Sequence, residues 1–322
     1  MKAIVVHQCG GPEQLHYQDA TTPTPGPGQA RVKISHVGVN FIDIYFRMGL
    51  YKADLPMILG MEASGVVESI GEGVTEVAVG DRVAYAGPRG SYAEFAVTPA
   101  GQLVKIPAGV SDALAAAAML QGMTAHYLTH STFPLQHGQT CLVHAAAGGA
   151  GQCLVQMAKR RGARVIATVG TPAKAELARE AGADDVILYD EVDFAAETRR
   201  LTEGKGVDVV YDSVGASTFL KSLDSLKPRG MMVTFGNASG PVPAIEPLLL
   251  NAKGSLFLTR PTLAHHIATR EELLWRAGDV LSWIANGDLK LNIHQTYPLS
   301  DARQAQEDLA ARKTTGKLLL AV

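Results

Sequence analysis

The chain has 322 residues, with 29 Lys and Arg against 31 Asp and Glu, so its formal net charge is −2. This length predicts two domains, since a domain commonly contains roughly 100–200 residues. The near-neutral balance argues against a protein held to nucleic acid by phosphate neutralisation, which needs an excess or a dense stripe of Lys and Arg. The three cysteines show no CxxC spacing, so neither a disulfide framework nor a cysteine-rich zinc site is expected.

No segment of the chain has the character of an export signal or a membrane span. The first apolar run ends at His7 and Gln8, which makes it too short for the core of a signal peptide. The longest apolar stretch, residues 113–120, is less than half of the ~20 residues that cross a bilayer. We therefore expect a cytoplasmic protein in a reducing compartment, with no membrane partner.

The first third of the chain differs in pattern from the middle. Residues 1–124 are rich in Gly, Pro and Val and contain short alternating apolar runs between turn signals, which predicts a β-rich domain. From residue 125 to 260, short apolar runs alternate with helical stretches, which is typical of βαβ units around a parallel sheet of about six strands. We therefore predict an α/β protein with a doubly wound second domain.

The last segment, residues 261–322, is too small to fold alone. It contains a predicted helix at 270–285, a second at 304–311 and a terminal strand at 317–322. We expect it to return to the amino-terminal domain, so that the doubly wound domain is inserted into a discontinuous β-rich domain.

A glycine turn follows the first strand of the second domain. Ala145, Gly148 and Gly151 form an AxxGxxG pattern that runs straight into a helix. Residues without side chains let a pyrophosphate approach the backbone, and the N-terminal amides and dipole of the helix stabilise its charge. Strand, turn, helix and second strand occur in the required order, which predicts dinucleotide binding.

The residues after the second strand indicate which dinucleotide binds. A site for NAD usually places Asp or Glu about 20 residues beyond the glycines, on the ribose hydroxyls. Here the strand ends in Gly170, Thr171 and Pro172, and the first charged side chain is Lys174. An ammonium attracts a 2′-phosphate that a carboxylate would repel, so the pattern favours NADPH. Lys174 could instead be a solvated lysine of the helix face, which is the commoner fate of a single lysine, so the missing acid is the stronger half of this argument.

Motifs in both domains carry a family resemblance. They are Gly138-Gln139, Leu142, residues 146–151, Gln156 and Lys159 in the second domain, and Gly60, Glu62, Gly65, Gly71 and Val74 in the first. With them the chain resembles the zeta-crystallin-like quinone oxidoreductases of the medium-chain dehydrogenase/reductase superfamily. The resemblance implies a GroES-like catalytic domain, an inserted Rossmann domain, a homodimer and NADPH-dependent reduction of a quinone.

Related alcohol dehydrogenases of the same superfamily hold a catalytic zinc, and this chain departs from them at each ligand position. Asn40 stands at the first Cys position, Met61 replaces the His, and Gln121 lies near the third ligand. Amides and a thioether are poor substitutes for the thiolates and imidazole that bind Zn²⁺ tightly. We therefore predict no metal, and a substrate such as a quinone that is electrophilic without a Lewis acid.

Two side chains of the first domain are candidates for the chemistry. The phenol of Tyr45 could donate to a quinone oxygen, and Asn40 could hydrogen-bond substrate, cofactor ribose or Tyr45. The alternative for Tyr45 is a partly buried packing residue whose hydroxyl finds a local partner. Tyr51 ranks below it as a second pocket residue.

The resemblance also implies a set of cofactor contacts, carried over residue by residue. The nicotinamide would lie near Asn40, Thr124, Phe257 and Leu258; the pyrophosphate near Gly148, Gly149 and Ala150; the 2′-phosphate near Gly170, Lys174 and Tyr189; and other parts of the cofactor near Ser213, Gly236, Asn237 and Arg312. Tyr189 could otherwise be a surface aromatic, and Phe257 and Leu258 could be sheet core.

The last strand of the second domain, residues 254–259, should be a sheet edge, and pairing with its symmetry mate would give a dimer with one continuous sheet. Two other functions remain open. One is an NADPH-dependent enone or alkenal reductase, which delivers hydride to a carbon–carbon double bond. The other is a non-catalytic NADPH-binding protein with a structural or nucleic-acid-binding role.

Overall fold

The computed structural model describes residues 1–322, which form two compact units. The first unit comprises Met1–Met123 and His266–Val322, and the second comprises Thr124–His265. The predicted boundaries are 124/125 and 260/261. No helix has both the length and the apolar character that crossing a membrane requires.

The amino-terminal part of the first unit is mostly β-structure. Its strands and helices are β1 (Lys2–Val6), β2 (His16–Asp19), β3 (Gln29–Val39), α1 (Phe41–Arg47), β4 (Met57–Ile58), β5 (Glu62–Ile70), β6 (Arg82–Ala86), β7 (Phe95–Pro99), β8 (Val104–Lys105) and α2 (Asp112–Tyr127), whose last four residues belong to the second unit. Single 3₁₀ turns lie at Pro12–Gln14 and Ala100–Gln102. In β3 the buried Ala30, Val32 and Ile34 alternate with less buried residues, because successive side chains of a strand point to opposite faces.

The second unit alternates strands and helices along its whole length. Its elements are a π-helical turn at Leu128–Thr132, then β9 (Thr140–Val143), α3 (Gly149–Arg160), β10 (Arg164–Val169), α4 (Pro172–Glu180), β11 (Asp185–Leu188), α5 (Phe194–Leu201), β12 (Val207–Asp212), α6 (Phe219–Ser225), β13 (Leu226–Thr234), α7 (Leu248–Ala252), β14 (Phe257–Thr259) and α8 (Leu263–His266). The six strands are parallel in the order β11-β10-β9-β12-β13-β14. This is the strand order of a dinucleotide-binding fold, whose ligand crevice lies where the order reverses, between β9 and β12.

The last 57 residues, His266–Val322, complete the first unit. They contain α9 (Arg270–Ala285), β15 (Ile293–Pro298), a 3₁₀ turn at Leu299–Asp301, α10 (Ala302–Ala310) and β16 (Lys317–Ala321). Strand β16 pairs antiparallel with β3, and β15 pairs parallel with β16. The main sheet of the first unit therefore runs β15-β16-β3-β5-β6-β8, with β7 also on β3, and β2-β1-β4 form a second sheet.

The register between β16 and β3 positions the candidate site. Leu318 lies opposite Val39, so the preceding Lys317 lies beside the end of β3, where the chain enters α1 through Asn40. Residues 255 positions apart in sequence, Glu62 and Lys317, meet there. The predicted α/β fold with a β-rich domain and a doubly wound parallel sheet is confirmed.

Candidate active site

The glycine turn lies between β9 and α3, at the switch point of the parallel sheet. Gly148 precedes the first turn of α3, and no side chain caps this helix. The amides of Gly149 and Ala150 belong to its first turn, where N–H groups have no partner within the helix. Both residues are partly exposed. The turn therefore offers backbone donors and the positive end of a helix dipole to an anion.

Close backbone packing explains the glycines of this turn. A Cβ on Gly151 would lie 2.3 Å from the carbonyl oxygen of Ala145, and one on Gly148 would lie 3.2 Å from the same oxygen. Ala145 itself has a φ of 51°, in the left-handed region. The small residues thus allow α3 to begin close to the end of β9. A turn of this kind leaves room for a dinucleotide pyrophosphate beside the backbone.

Two of the three candidate 2′-phosphate residues, Gly170 and Tyr189, lie together. Gly170 follows β10, and a Cβ on it would lie 2.9 Å from the hydroxyl oxygen of Tyr189, which follows β11. Asp190 also places Oδ2 3.0 Å from that position. Lys174 lies in the first turn of α4, where its backbone N–H donates to Thr171 Oγ1 at 3.3 Å. The structure thus brings Gly170 and Tyr189 together and shows a carboxylate there that the sequence analysis did not consider.

A second group lies at the ends of β12 and β13. A Cβ on Gly236 would be 2.3 Å from the carbonyl oxygen of Ser213, and the backbone N–H of Ala238 donates to that oxygen at 3.3 Å. Buried Asp212 precedes Ser213 and accepts from the backbone N–H groups of Val214 and Gly215 at 2.7 and 3.0 Å. Ser213, Gly236 and Asn237 therefore lie at the carboxyl ends of β12 and β13. Asp212 fixes the loop that follows β12.

A buried histidine, which the sequence analysis did not single out, links three of these elements. His144 directly follows β9, and its ring contacts Thr168 Oγ1 at 2.8 Å and Ser222 Oγ at 2.9 Å. Burial lowers the pKa of His144, and the nearby Asp212 opposes this effect only partly. A neutral imidazole bridging two hydroxyls holds β9, β10 and α6 together beneath the glycine turn.

Lowering the pH should reduce the free energy of unfolding of the second unit, because His144 is buried there. Because its pKa is lowered in the folded state, the unfolded chain binds the proton first, and this contribution to stability is lost as pH falls below about 6.5. His144→Gln, which keeps two hydrogen-bonding groups but cannot be protonated, should reduce the loss between pH 6.5 and 5. Hydrogen exchange of amides in β9 and β10 would measure it. Equal pH dependence in both proteins would contradict this assignment.

The first unit holds a buried polar network around Asn40, which is 3% exposed. Asn40 Nδ2 donates to Glu62 Oε2 at 2.8 Å and to the Gly38 carbonyl at 3.1 Å. Asn40 Oδ1 accepts from Lys317 Nζ at 2.7 Å and from Gln121 Nε2 at 3.2 Å. Both amide hydrogens and both oxygen lone pairs of Asn40 are therefore used within the protein.

An ion pair forms the base of this network. Lys317 Nζ lies 2.5 Å from Glu62 Oε2, and the two side chains are 3% and 0% exposed. Glu62 Oε1 accepts the backbone N–H of Leu120 at 2.5 Å. Gly38 leaves room for the carboxylate, since a Cβ there would lie 2.1 Å from Glu62 Oε2. Every charged group of the pair thus has a partner in the interior.

Beside this network lies a second buried acid, Asp43. Its Oδ2 accepts from the backbone N–H of Asn40 at 2.9 Å and from the hydroxyl of Tyr92 at 3.1 Å, whereas Oδ1 has no partner. Burial raises the pKa of Asp43 to about 7. Asp43 therefore anchors the start of α1, the helix that carries Tyr45.

Tyr45 is largely buried, at 8% exposed, among other aromatic side chains. Its ring lies 5.5 Å from the ring of Tyr51 in an edge-on arrangement and 6.3 Å from the ring of Phe41. This packing is compatible with both interpretations of Tyr45.

The other predicted cofactor residues are placed as follows. Thr124 is half-buried in α2; Phe257 and Leu258 lie on β14, at the edge of the parallel sheet, with exposures of 58% and 37%. They are therefore not sheet core. Arg312 is exposed just beyond α10, in the first unit.

Two family models match the chain, one within the first unit and the other mostly within the second. One, described as an alcohol dehydrogenase GroES-like domain, covers residues 26–108, and the other, described as a zinc-binding dehydrogenase, covers residues 149–276. Together with the two units and the strand order, they define the class as the medium-chain dehydrogenases and reductases.

Individual relatives match over nearly the full length. The chain is 47% identical to a quinone oxidoreductase of Pseudomonas aeruginosa over 99% of both chains, and 42% identical to a 2-haloacrylate reductase of a Burkholderia species over 99% of this chain and 98% of the other. The crystal structure of Escherichia coli quinone oxidoreductase complexed with NADPH superposes on this chain with a TM-score of 0.98 over 100% of both chains, and the two sequences are 44% identical. The chain belongs to the quinone oxidoreductase family of this superfamily, as its motifs predict.

The zinc in the description of one family model does not fit the residues found here. The first and third former ligand positions do converge, because Gln121 Nε2 is 3.2 Å from Asn40 Oδ1. Both groups are amides, however, and the ammonium of Lys317 lies on the same oxygen. A cation already hydrogen-bonded to Asn40 Oδ1 would repel Zn²⁺, and no cluster of three or more His, Cys, Asp or Glu side chains suitable for a metal occurs in the structure.

Proposed function

We propose that this protein is an NADPH-dependent quinone oxidoreductase that works without a metal. The observation that carries the proposal is its likeness, over both units, to the E. coli quinone oxidoreductase solved with NADPH. Bound NADPH supplies a hydride, so that NADPH, a proton and a quinone give NADP⁺ and a hydroquinone. The protein's part is to orient the two reactants, exclude water and stabilise the oxygen that gains charge.

The phosphates of NADPH are assigned to the second unit. Gly148, Gly149 and Ala150 would bind the pyrophosphate, and the uncapped start of α3 supports this assignment. Gly170, Lys174 and Tyr189 would bind the 2′-phosphate, supported by the proximity of Gly170 to the Tyr189 hydroxyl. The carboxylate of Asp190 would repel a phosphate at this place. A preference for NADPH over NADH therefore requires that the attraction of Lys174 for the 2′-phosphate exceeds this repulsion.

The remaining cofactor contacts are assigned by resemblance. Thr124, Phe257 and Leu258 would lie along the nicotinamide, and Ser213, Gly236, Asn237 and Arg312 along other parts of the cofactor. The close approach of Ser213 and Gly236 supports their sharing one ligand. For Asn40 we propose a positioning role instead of a direct contact with substrate or cofactor, because every hydrogen-bonding group of its carboxamide is used within the protein.

Steady-state assays test the function directly. NADPH oxidation should depend on an added quinone such as 1,4-benzoquinone, with kcat/KM for NADPH at least tenfold above that for NADH, and it should persist after dialysis against a chelator. A preference for NADH would contradict the cofactor assignment. Tight NADPH binding without turnover of any electrophile would instead favour the non-catalytic binding protein.

A carbon–carbon double bond is the second candidate acceptor. The 42% identity to a 2-haloacrylate reductase over almost the whole chain favours it. The same hydride delivery would then saturate an alkene conjugated to a carbonyl group. A panel that compares quinones with 2-haloacrylates and simple enones separates the two, because kcat/KM ranks the acceptors directly.

Replacing Tyr45 by Phe distinguishes its two interpretations. If the phenol donates to the quinone oxygen, the variant should lose roughly tenfold or more in kcat, since a positioned donor typically contributes 10²–10⁴-fold. Its ring packing against Tyr51 and its NADPH affinity should be retained. Tyr17→Phe, the same change at an exposed tyrosine of β2, is the matched control. An unchanged rate in Tyr45→Phe would assign the residue to packing.

We also propose a homodimer in the cytoplasm. Strand β14 is a terminal strand of the parallel sheet and exposes Phe257, which supports pairing with a second copy through this edge. Three free thiols, of which only Cys9 is exposed, suit a reducing compartment. Sedimentation should give a particle of twice 34.0 kDa.

A further inference from the structure

Gln121 is the side chain of the network around Asn40 that combines unused hydrogen-bonding capacity with partial exposure. The carboxamide of Asn40 is saturated, and the carboxylate of Glu62 holds Lys317, Asn40 and the backbone of Leu120. Gln121 differs, because its side chain makes a single hydrogen bond, from Nε2 to Asn40 Oδ1. Its second Nε2 hydrogen and its Oε1 remain available, and the residue is only half-buried.

The rest of the network fixes the direction of the Gln121 amide. Lys317 and Glu62 are fully buried and paired, so they determine which end of Asn40 is oxygen and which is nitrogen. The oxygen of Asn40 then accepts only a donor, which forces the nitrogen of Gln121, not its oxygen, toward Asn40. The second N–H of Gln121 therefore has a set orientation before any ligand arrives, which removes the reorganisation cost of binding.

We propose that Gln121 contacts the substrate, with its free N–H donating to the quinone oxygen that gains negative charge as hydride is added. Asn40, Glu62 and Lys317 are positioning residues that act through it. This inference rests on the proposed quinone reduction. Gln121 precedes Thr124, an assigned nicotinamide neighbour, by three residues in α2, and residues at this spacing share one face of a helix.

The direct test removes the donor and keeps the fold. Gln121→Leu has a similar volume, and Asn40 Oδ1 retains Lys317 as its donor, so the variant should fold. We expect kcat with a quinone to fall by about 10²-fold, as when one oxyanion donor is removed, with the Kd of NADPH within twofold of the wild type. Gln295→Leu, the same change at an exposed position of β15, should keep the wild-type rate.

Coupling separates a positioning role from a merely structural one. If Asn40 acts through Gln121, Asn40→Ala should lower kcat in the wild-type background but have little further effect in Gln121→Leu, because the two changes then remove the same interaction. Independent, multiplicative losses would overturn the positioning role of Asn40.

The outcomes for Gln121 also distinguish the two proposals. If the wild type fails to reduce any quinone with NADPH, the proposed function fails. If the wild type is active and Gln121→Leu is equally active, only this inference fails. A tenfold weaker Kd for NADPH with unchanged kcat would show that Gln121 serves the cofactor, and that result also overturns it.

Discussion

Lys317→Met should lower the free energy of unfolding of the first unit by about 3–5 kcal/mol, the usual cost of removing one partner of a buried ion pair. The expectation follows from burial, since Lys317 and Glu62 are 3% and 0% exposed and Nζ also donates to Asn40. The variant leaves a carboxylate in the interior without its cation. Both tryptophans, Trp275 and Trp283, lie in α9, so their fluorescence during urea denaturation reports on this unit.

Two further variants make this prediction specific. Lys2→Met removes an exposed pair with Asp19 in the same unit and should cost less than about 1 kcal/mol. Lys317→Met combined with Glu62→Gln should recover more than half of the loss, because no uncompensated charge remains. A single-variant cost as small as that of Lys2→Met would show that water reaches the pair.

Gly151→Ala should lower NADPH affinity by about tenfold or more, which corresponds to ~1.4 kcal/mol, and should destabilise the second unit by about 1–3 kcal/mol. The added Cβ would lie 2.3 Å from the Ala145 carbonyl oxygen and 2.7 Å from the Cα of Ala146. Both are backbone atoms, so either α3 or the turn must move, and the amides of Gly149 and Ala150 move with it. Fluorescence titration with NADPH measures the loss.

Gly278→Ala is the matched control for this change. Gly278 also lies inside a helix, but a Cβ there meets nothing within 4 Å. Alanine is preferred over glycine in a helix interior by up to ~1 kcal/mol, so the control should be as stable as the wild type or more so. Wild-type NADPH affinity in Gly151→Ala would mean that the turn does not hold the cofactor.

Local signals made the second unit predictable from sequence. Each strand of the parallel sheet contains a short apolar run, although β13 begins at Leu226, five residues before its apolar run. The start of α4 follows from Thr171, whose side chain accepts from the Lys174 amide, and from Pro172 in the first turn. Helix α9 has the predicted bounds because a capping box of Thr269 and Glu272 defines its start. These determinants act over a few residues, which is why sequence reasoning finds them.

The polar network of the first unit was not predictable in the same way. The sequence pointed to Asn40 as a replaced metal ligand and a candidate contact of substrate or cofactor, and to Gln121 only as a residue near a replaced metal ligand. Lys317 was placed only as part of a terminal strand. Their association depends on the register of β16 against β3. Hydrophobic alternation predicts which face of a strand is buried, but it does not predict which strand is its partner. Buried Asp43 and His144 escaped notice because nothing adjacent in sequence distinguishes a buried Asp or His from an exposed one.

The discontinuity of the first unit affects how the protein can be made. During translation, Glu62 emerges from the ribosome 255 residues before Lys317. Residues Thr124–His265, in contrast, emerge as one uninterrupted stretch. The nucleotide-binding unit can therefore fold during translation, while the nascent amino-terminal sheet lacks β16 beside β3 and carries an unneutralised acid in its interior. Completion of that sheet must wait for the final strand, so nascent chains arrested shortly before residue 317 should be strong substrates for chaperones and proteases.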